Sequence, residues 1–116
     1  MSDPKLPSYR EFVELPVGFE GPDGVVVREA EVRPVTGADE LYIGMSPEYN
    51  RHANDLVYKT LLLSRTVTRL GAKTSITMSD ITRLHARDVR SLEYAVYRIT
   101  YGEAALPAED PDSPGG

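Results

Sequence analysis

Cysteine is absent from the sequence. Its absence removes disulfide frameworks, thiolate zinc sites and a cysteine nucleophile together, and leaves a redox role without its usual residue. Long apolar runs are also missing. No aliphatic run exceeds Leu61-Leu62-Leu63, and Met1-Ser2-Asp3-Pro4-Lys5 has no apolar signal core. The sequence is therefore expected to stay out of the membrane and in the cytoplasm. A basic excess is the third absence. Thirteen Lys and Arg stand against eighteen Asp and Glu, a net charge of −5, which argues against general nucleic-acid binding. What is present, 116 residues of which 41% are hydrophobic, suffices for one small core and not for two.

The charge is unevenly placed. Residues 1–37 hold four basic and seven acidic side chains, whereas residues 38–102 hold nine basic and seven acidic. Residues 103–116 carry four acids (Glu103, Glu109, Asp110, Asp112), no base, three prolines and a single large aliphatic residue, Leu106. Such a stretch buries too little surface to offset its ordering entropy, so it reads as a disordered acidic tail. Met1 to Ser8, with Pro4 and Pro7, reads as a short flexible arm. Residues 9–102 are left as a single domain. No fixed-period repeat runs along it.

Within that domain, Val13, Leu15, Val17 and Phe19 alternate with Glu14, Pro16 and Gly18, the period of a half-buried strand, and Pro16 marks it as an edge. The turn-forming Glu20-Gly21-Pro22-Asp23-Gly24 and the β-prone Val25 to Val35 complete a hairpin. Helical spacing follows. A short helix between Asp39 and Tyr49 is interrupted by Gly44 and Pro47. A longer one, from about Asn54 to Leu70, carries Leu56, Thr60, Leu63, Val67 and Leu70 and stops at Gly71, with Arg69 against its C-terminal dipole. Thr77-Met78-Ser79-Asp80 is a capping box opening a helix from Met78 to about Leu84. Asp88 caps a last helix, Val89 to Tyr101, which ends at Gly102. The expected fold is α+β, an N-terminal β-hairpin followed by a small bundle of three to four helices.

Chemistry is hard to place on this pattern. His52 and His85 lie far apart in sequence, and each has only one acid three residues on, Asp55 and Asp88, so surface or capping roles fit them better than metal or acid-base roles. The Gly18 to Gly24 region lacks the Gly-Lys-Ser/Thr of a phosphate loop, and no serine sits in a nucleophile elbow. Asp39-Glu40 and Glu109-Asp110 fall in expected loop or tail, where nothing would desolvate them. The chain is read as a non-enzyme with no catalytic, cofactor-binding or metal-binding residue. No cofactor is expected.

Excess surface is more informative. Leu62 falls among Lys59, Thr66 and Arg69 on the solvent side of the long helix, while Tyr94, Tyr97 and Tyr101 form a second stripe beside Leu92, Val96 and Ile99 in the last helix. Either the hairpin covers the tyrosine stripe or another chain does, since tyrosine and arginine are favoured at interface centres. Arg83, Arg87, Arg90 and Arg98 cluster in the same half with Asp80, Asp88 and Glu93 interleaved. They suit intramolecular pairing, an acidic partner or, as the alternative reading, a small nucleic-acid-binding regulatory domain. The candidate partner-binding residues are Leu62, Arg83, Arg87, Arg90, Tyr94, Tyr97, Arg98 and Tyr101.

Six short motifs follow one another along the chain. They are Leu15-Pro16-Val17-Gly18, Val32-Arg33-Pro34-Val35-Thr36-Gly37, Val67-Thr68-Arg69-Leu70-Gly71, Ile81-Thr82-Arg83-Leu84, Asp88-Val89-Arg90 and Arg98-Ile99-Thr100-Tyr101-Gly102. Their order over residues 12–102 resembles small assembly proteins of contractile phage tails and phage-tail-like injection systems, the tail- or baseplate-assembly group related to a small T4-type baseplate protein. The resemblance implies a non-catalytic protein that binds other tail, baseplate or tape-measure proteins, or copies of itself. It would act as a structural part or an assembly chaperone in the cytoplasm, or within a phage-tail-like particle. It implies no membrane partner and no chemically essential residue, and nucleic acid is the less favoured partner.

Overall fold

A computed structural model describes residues 9–102; the expected arm and acidic tail lie outside the described residues. The fold is α+β. Three antiparallel strands, β1 (Glu11–Glu20), β2 (Val26–Val32) and β3 (Val67–Leu70), form one sheet in the order β1-β2-β3. Five helices accompany it: α1 (Gly37–Gly44), α2 (Pro47–Arg51), α3 (Asp55–Thr66), α4 (Met78–Thr82) and α5 (Ala86–Tyr101). The expected hairpin is β1-β2, its turn closed by Gly24 N–H donating to Gly21 O at 3.0 Å.

Two features depart from the expected pattern. The long helix stops at Thr66, and Val67–Leu70 becomes a third strand paired with Ala30, Glu31 and Val32 of β2. Arg69 therefore lies in a strand, its guanidinium 5.3 Å from the Phe12 ring centroid, and Thr66, expected on the solvent side, is fully buried. The short interrupted helix is in fact two helices, α1 and α2, each N-capped by a hydroxyl residue, Thr36 and Ser46. Among the described residues the helices accordingly number five rather than three or four.

β1 is an edge strand with an irregular middle. Glu14 pairs with Glu29 and Phe19 with Val27, so five steps along β1 match two along β2. The surplus lies in Leu15-Pro16-Val17-Gly18. Proline has no N–H to give the ladder, and Gly18 adopts φ +85°, a left-handed conformation that leaves its N–H pointing away from β2. Those N–H groups are not wasted. Asp88 of α5, fully buried, accepts from Val17 N–H at 2.8 Å and Gly18 N–H at 2.9 Å. Asp88 is thus not the cap of α5; His85 takes that place, its Nδ1 accepting Arg87 N–H at 3.1 Å.

The core lies between the sheet and helices α3, α4 and α5. Leu15, Ala30, Val32, Leu63, Val67, Leu70, Ile81, Leu84, Leu92, Ala95 and Val96 form one buried cluster. Each fully buried leucine in it contributes about 1.5–3 kcal/mol relative to exposure. Outside it, Asp39 is a second polar anchor. Arg33 grips both of its oxygens at 2.8 and 2.9 Å, Arg65 Nε donates to Oδ1 at 2.9 Å, and Thr36 N–H donates to Oδ2 at 2.8 Å. Burial raises its carboxyl pKa, but the hydrogen bonds from Arg33, Thr36 and Arg65 outweigh that and hold it well below the usual range. The expectation that nothing desolvates Asp39 is therefore corrected.

Candidate interaction groove

Helix periodicity builds the groove. Arg90, Tyr94, Tyr97 and Tyr101 follow one another at four, three and four positions along α5, and Tyr58 and Leu62 are four apart on α3, so each set shares one face. The two faces meet. Tyr58, Lys59, Leu62 and Leu63 of α3 and Arg90, Glu93, Tyr94, Val96, Tyr97 and Tyr101 of α5 line a groove of about 460 Å³, with Val35 and Glu40 at its end. The hairpin packs elsewhere on α5, against the side that carries Asp88, and leaves the tyrosines uncovered. Tyr94, Tyr97 and Tyr101 are 53%, 37% and 54% exposed.

Local contacts hold the groove open. Tyr97 and Tyr101 tilt together with ring centroids 4.9 Å apart, and Tyr58 meets Tyr49 of α2 edge to face at 6.1 Å. Thr100 Oγ1 donates to Val96 O at 2.6 Å and accepts Val35 N–H at 3.0 Å, which fixes the last turn of α5 against the segment before α1. Partial burial, with Glu40 nearby, raises the Tyr58 hydroxyl above its ordinary value and reinforces the protonated, hydrogen-donating form that a tyrosine already has at neutral pH. The wall is apolar with phenolic tips. Such a surface excludes water at its centre and offers hydrogen bonds at its rim.

The structure brings Leu62, Arg90, Tyr94, Tyr97 and Tyr101 together and separates the other candidates. Arg98 lies on the far side of Tyr94, its guanidinium 5.3 Å from that ring and ion-paired with Glu11 of β1. Arg83 is in α4's cap, where it and Lys73 both reach Asp80 Oδ1 at 3.2 Å. Arg90 pairs with Glu93 at 2.9 Å. Arg87 stands exposed on the first turn of α5. Three of the four clustered arginines thus meet a carboxylate of their own chain, the intramolecular pairing that the interleaved acids allow.

The histidine-acid pairs are used otherwise. Asp55 pairs with Lys59 at 3.2 Å, Asp88 binds the β1 backbone, and among the described residues no three His, Asp or Glu side chains gather as metal ligands would. Tyr58, Lys59 and Glu93 line the groove without being among the candidate partner-binding residues; the spacing of Tyr58 from Leu62 is the signal that finds the first. Exposed Phe12, Leu41 of α1 and Met45 at that helix's C-cap are further apolar surface. Among the described residues no helix is long and apolar enough to cross a membrane. Compared with protein-family models, curated proteins and solved structures, the chain matches none.

Proposed function

We propose that this chain is a non-enzymatic assembly or baseplate protein of a contractile phage-tail-like particle, acting by protein-protein binding as a structural part or an assembly chaperone. The observation that carries the binding reading is the open aromatic groove between α3 and α5. A domain of this size has one core to fill, and it fills it with faces of the same two helices that share only Leu63 and Val96 with the groove. Three neighbouring tyrosines and a leucine left at the surface, with an arginine at the rim, match the residue types that dominate interface centres. The order of motifs over residues 12–102 supplies the phage-tail part of the proposal. The cytoplasm is where such a protein would meet tail, baseplate or tape-measure proteins.

The nucleic-acid alternative draws less support, because Arg83, Arg90 and Arg98 each carry an intramolecular carboxylate partner. An affinity pull-down of the tagged chain from its native cells, with mass spectrometry of its partners and of purified particles, tests the proposal. Recovery of sheath, tube, tape-measure or baseplate proteins is the expected result, and presence in the finished particle separates part from chaperone. Recovery of nucleic acid without any tail component would put the arginine surface first.

A further inference from the structure

A second surface lies along the outer edge of β1, sharing Arg90 and Tyr94 with the α3–α5 groove but resting on neither that groove nor the phage-tail reading. The four consecutive residues Glu11, Phe12, Val13 and Glu14 line a groove of about 460 Å³ whose opposite wall is α5, through Arg90, Tyr94 and Arg98. Side chains of a strand alternate between its faces, so four consecutive residues bordering one groove, with a helix as its other wall, fit a groove that runs along the strand's edge. On its other side β1 is paired with β2, and among the described residues no strand pairs with this edge. In an antiparallel ladder alternate residues turn their N–H and C=O outward. The edge over Glu11–Glu14 therefore offers backbone donors and acceptors to an added strand, and the irregular Leu15-Pro16-Val17-Gly18 stretch ends it.

Charge decides which strand fits. The helix wall is neutralised, since Arg98 pairs with Glu11 and Arg90 with Glu93. The outer sheet face is not. Glu14 and Glu29 stand directly opposite each other across β1 and β2, both exposed and with no ion pair among the described residues, a like-charge arrangement that disfavours the isolated sheet. Phe12, 70% exposed, shares this face with Glu31, whose carboxylate accepts from Thr68 Oγ1 at 2.7 Å, and with Arg69. Glu14 and Glu29 border a shallow depression here with Arg28 and Arg69, so three carboxylates stand against two guanidinium groups beside an uncovered ring.

We propose that the β1 edge at Glu11–Glu14 accepts an extended segment of a partner protein as a fourth strand, with lysine or arginine side chains on the face that carries Phe12, Glu14 and Glu29 and apolar side chains on the opposite face, toward α5. Backbone hydrogen bonds supply the attachment, and the basic side chains supply selectivity and relieve the opposed glutamates.

The probe is a synthetic eight-residue peptide alternating lysine and valine. A glutamate-valine counterpart and a lysine-valine version interrupted by proline serve for comparison, each titrated into the isotope-labelled full chain at low salt. The lysine-valine peptide is expected to shift and to protect from hydrogen exchange the backbone amides of residues 11–14, and to bind at least tenfold more tightly than either other peptide. The surface variant Glu14→Lys with Glu29→Lys, checked for an unchanged circular dichroism spectrum, is expected to reverse the charge preference. Equal binding of all three peptides, shifts confined to the α3–α5 groove, no binding up to millimolar peptide, or self-association of the chain through residues 11–14 would each overturn the proposal. The pull-down outcome above does not bear on any of these results.

Discussion

Arg33 and Asp39 meet fork to fork, the two terminal nitrogens of the guanidinium each donating to one carboxylate oxygen at 2.8 and 2.9 Å. The pair ties the end of the sheet to the first turn of α1, and Arg65 brings α3 to the same carboxylate. Because the folded-state pKa of Asp39 lies below its ordinary 3.8, the stabilisation is fully present above that value and is lost as pH falls through the folded one. Asp80, lowered by its hydrogen bonds to Thr77 and Lys73 against the opposing effect of burial, adds to the same acid window. Asp39→Asn is expected to cost about 3 kcal/mol at neutral pH, since it strands two half-sheltered guanidinium groups. Its melting temperature should vary less than the wild type's below about pH 4. Thermal scans across pH check both.

Asp88 is a different kind of carboxylate, satisfied by two backbone N–H groups rather than by cations. Asp88→Asn keeps the shape but turns an amide NH2 toward one of those donors. A loss of about 2 kcal/mol is expected in urea unfolding, with the largest chemical-shift changes at Val17 and Gly18.

Two glycines should respond to alanine with opposite signs. A Cβ on Gly18 would lie 2.8 Å from Val27 O and 2.8 Å from Arg28 Cγ, at φ +85°, so Gly18→Ala is expected to cost about 2 kcal/mol or more. Gly44, at the end of α1, has nothing within 4 Å of such an atom. Gly44→Ala should stabilise by up to about 1 kcal/mol. Denaturant midpoints of the two variants decide it.

In the groove, Tyr97→Asp combined with Leu62→Asp places two charges on the apolar wall without entering the buried cluster. Partner co-purification is expected to be lost while stability falls by only about 1 kcal/mol. Retained co-purification would remove this groove from the proposal.

On the sheet, the single substitution Glu14→Lys turns an opposed like-charge pair into an opposite-charge one. It is expected to raise stability by about 0.2–1 kcal/mol at low salt and by less at high salt. A melting series over ionic strength reads out both.

How legible these features were in the sequence depended on how local their causes were. The Thr77-Asp80 box and the edge character of β1 were readable, because a cap needs four residues and Pro16 speaks for itself. The equivalent Thr36-Asp39 box is hidden in the sequence because Gly37 and Ala38 follow a proline-containing segment and give no apolar period. β3 was misread as helix for a stronger reason: Leu63, Val67 and Leu70 keep helical spacing, and only pairing with Ala30 to Val32, remote in sequence, converts the last turn into a strand. Asp88 looked like a cap for the same reason, since its true partners lie seventy and seventy-one residues away. The tyrosine face was readable from spacing alone. Whether the hairpin would cover it was not, because that is decided by which side of α5 the β1 irregularity engages.

The attachment of β1 to α5 also sets an order of events in synthesis. The hairpin is complete at Val32 and leaves the ribosome 56 residues (88 − 32) before Asp88 does, an interval of several seconds at about 5–20 residues per second. Throughout that interval the inner side of the hairpin, with Val13, Leu15 and Ala30, has no helix to lie on, and the N–H groups of Val17 and Gly18 have no carboxylate. The nascent chain therefore passes through a stage in which its first strand is sticky and its last helix does not yet exist. Slower translation between the hairpin and α5 lengthens the exposure that trigger-type holdases and aggregation compete for.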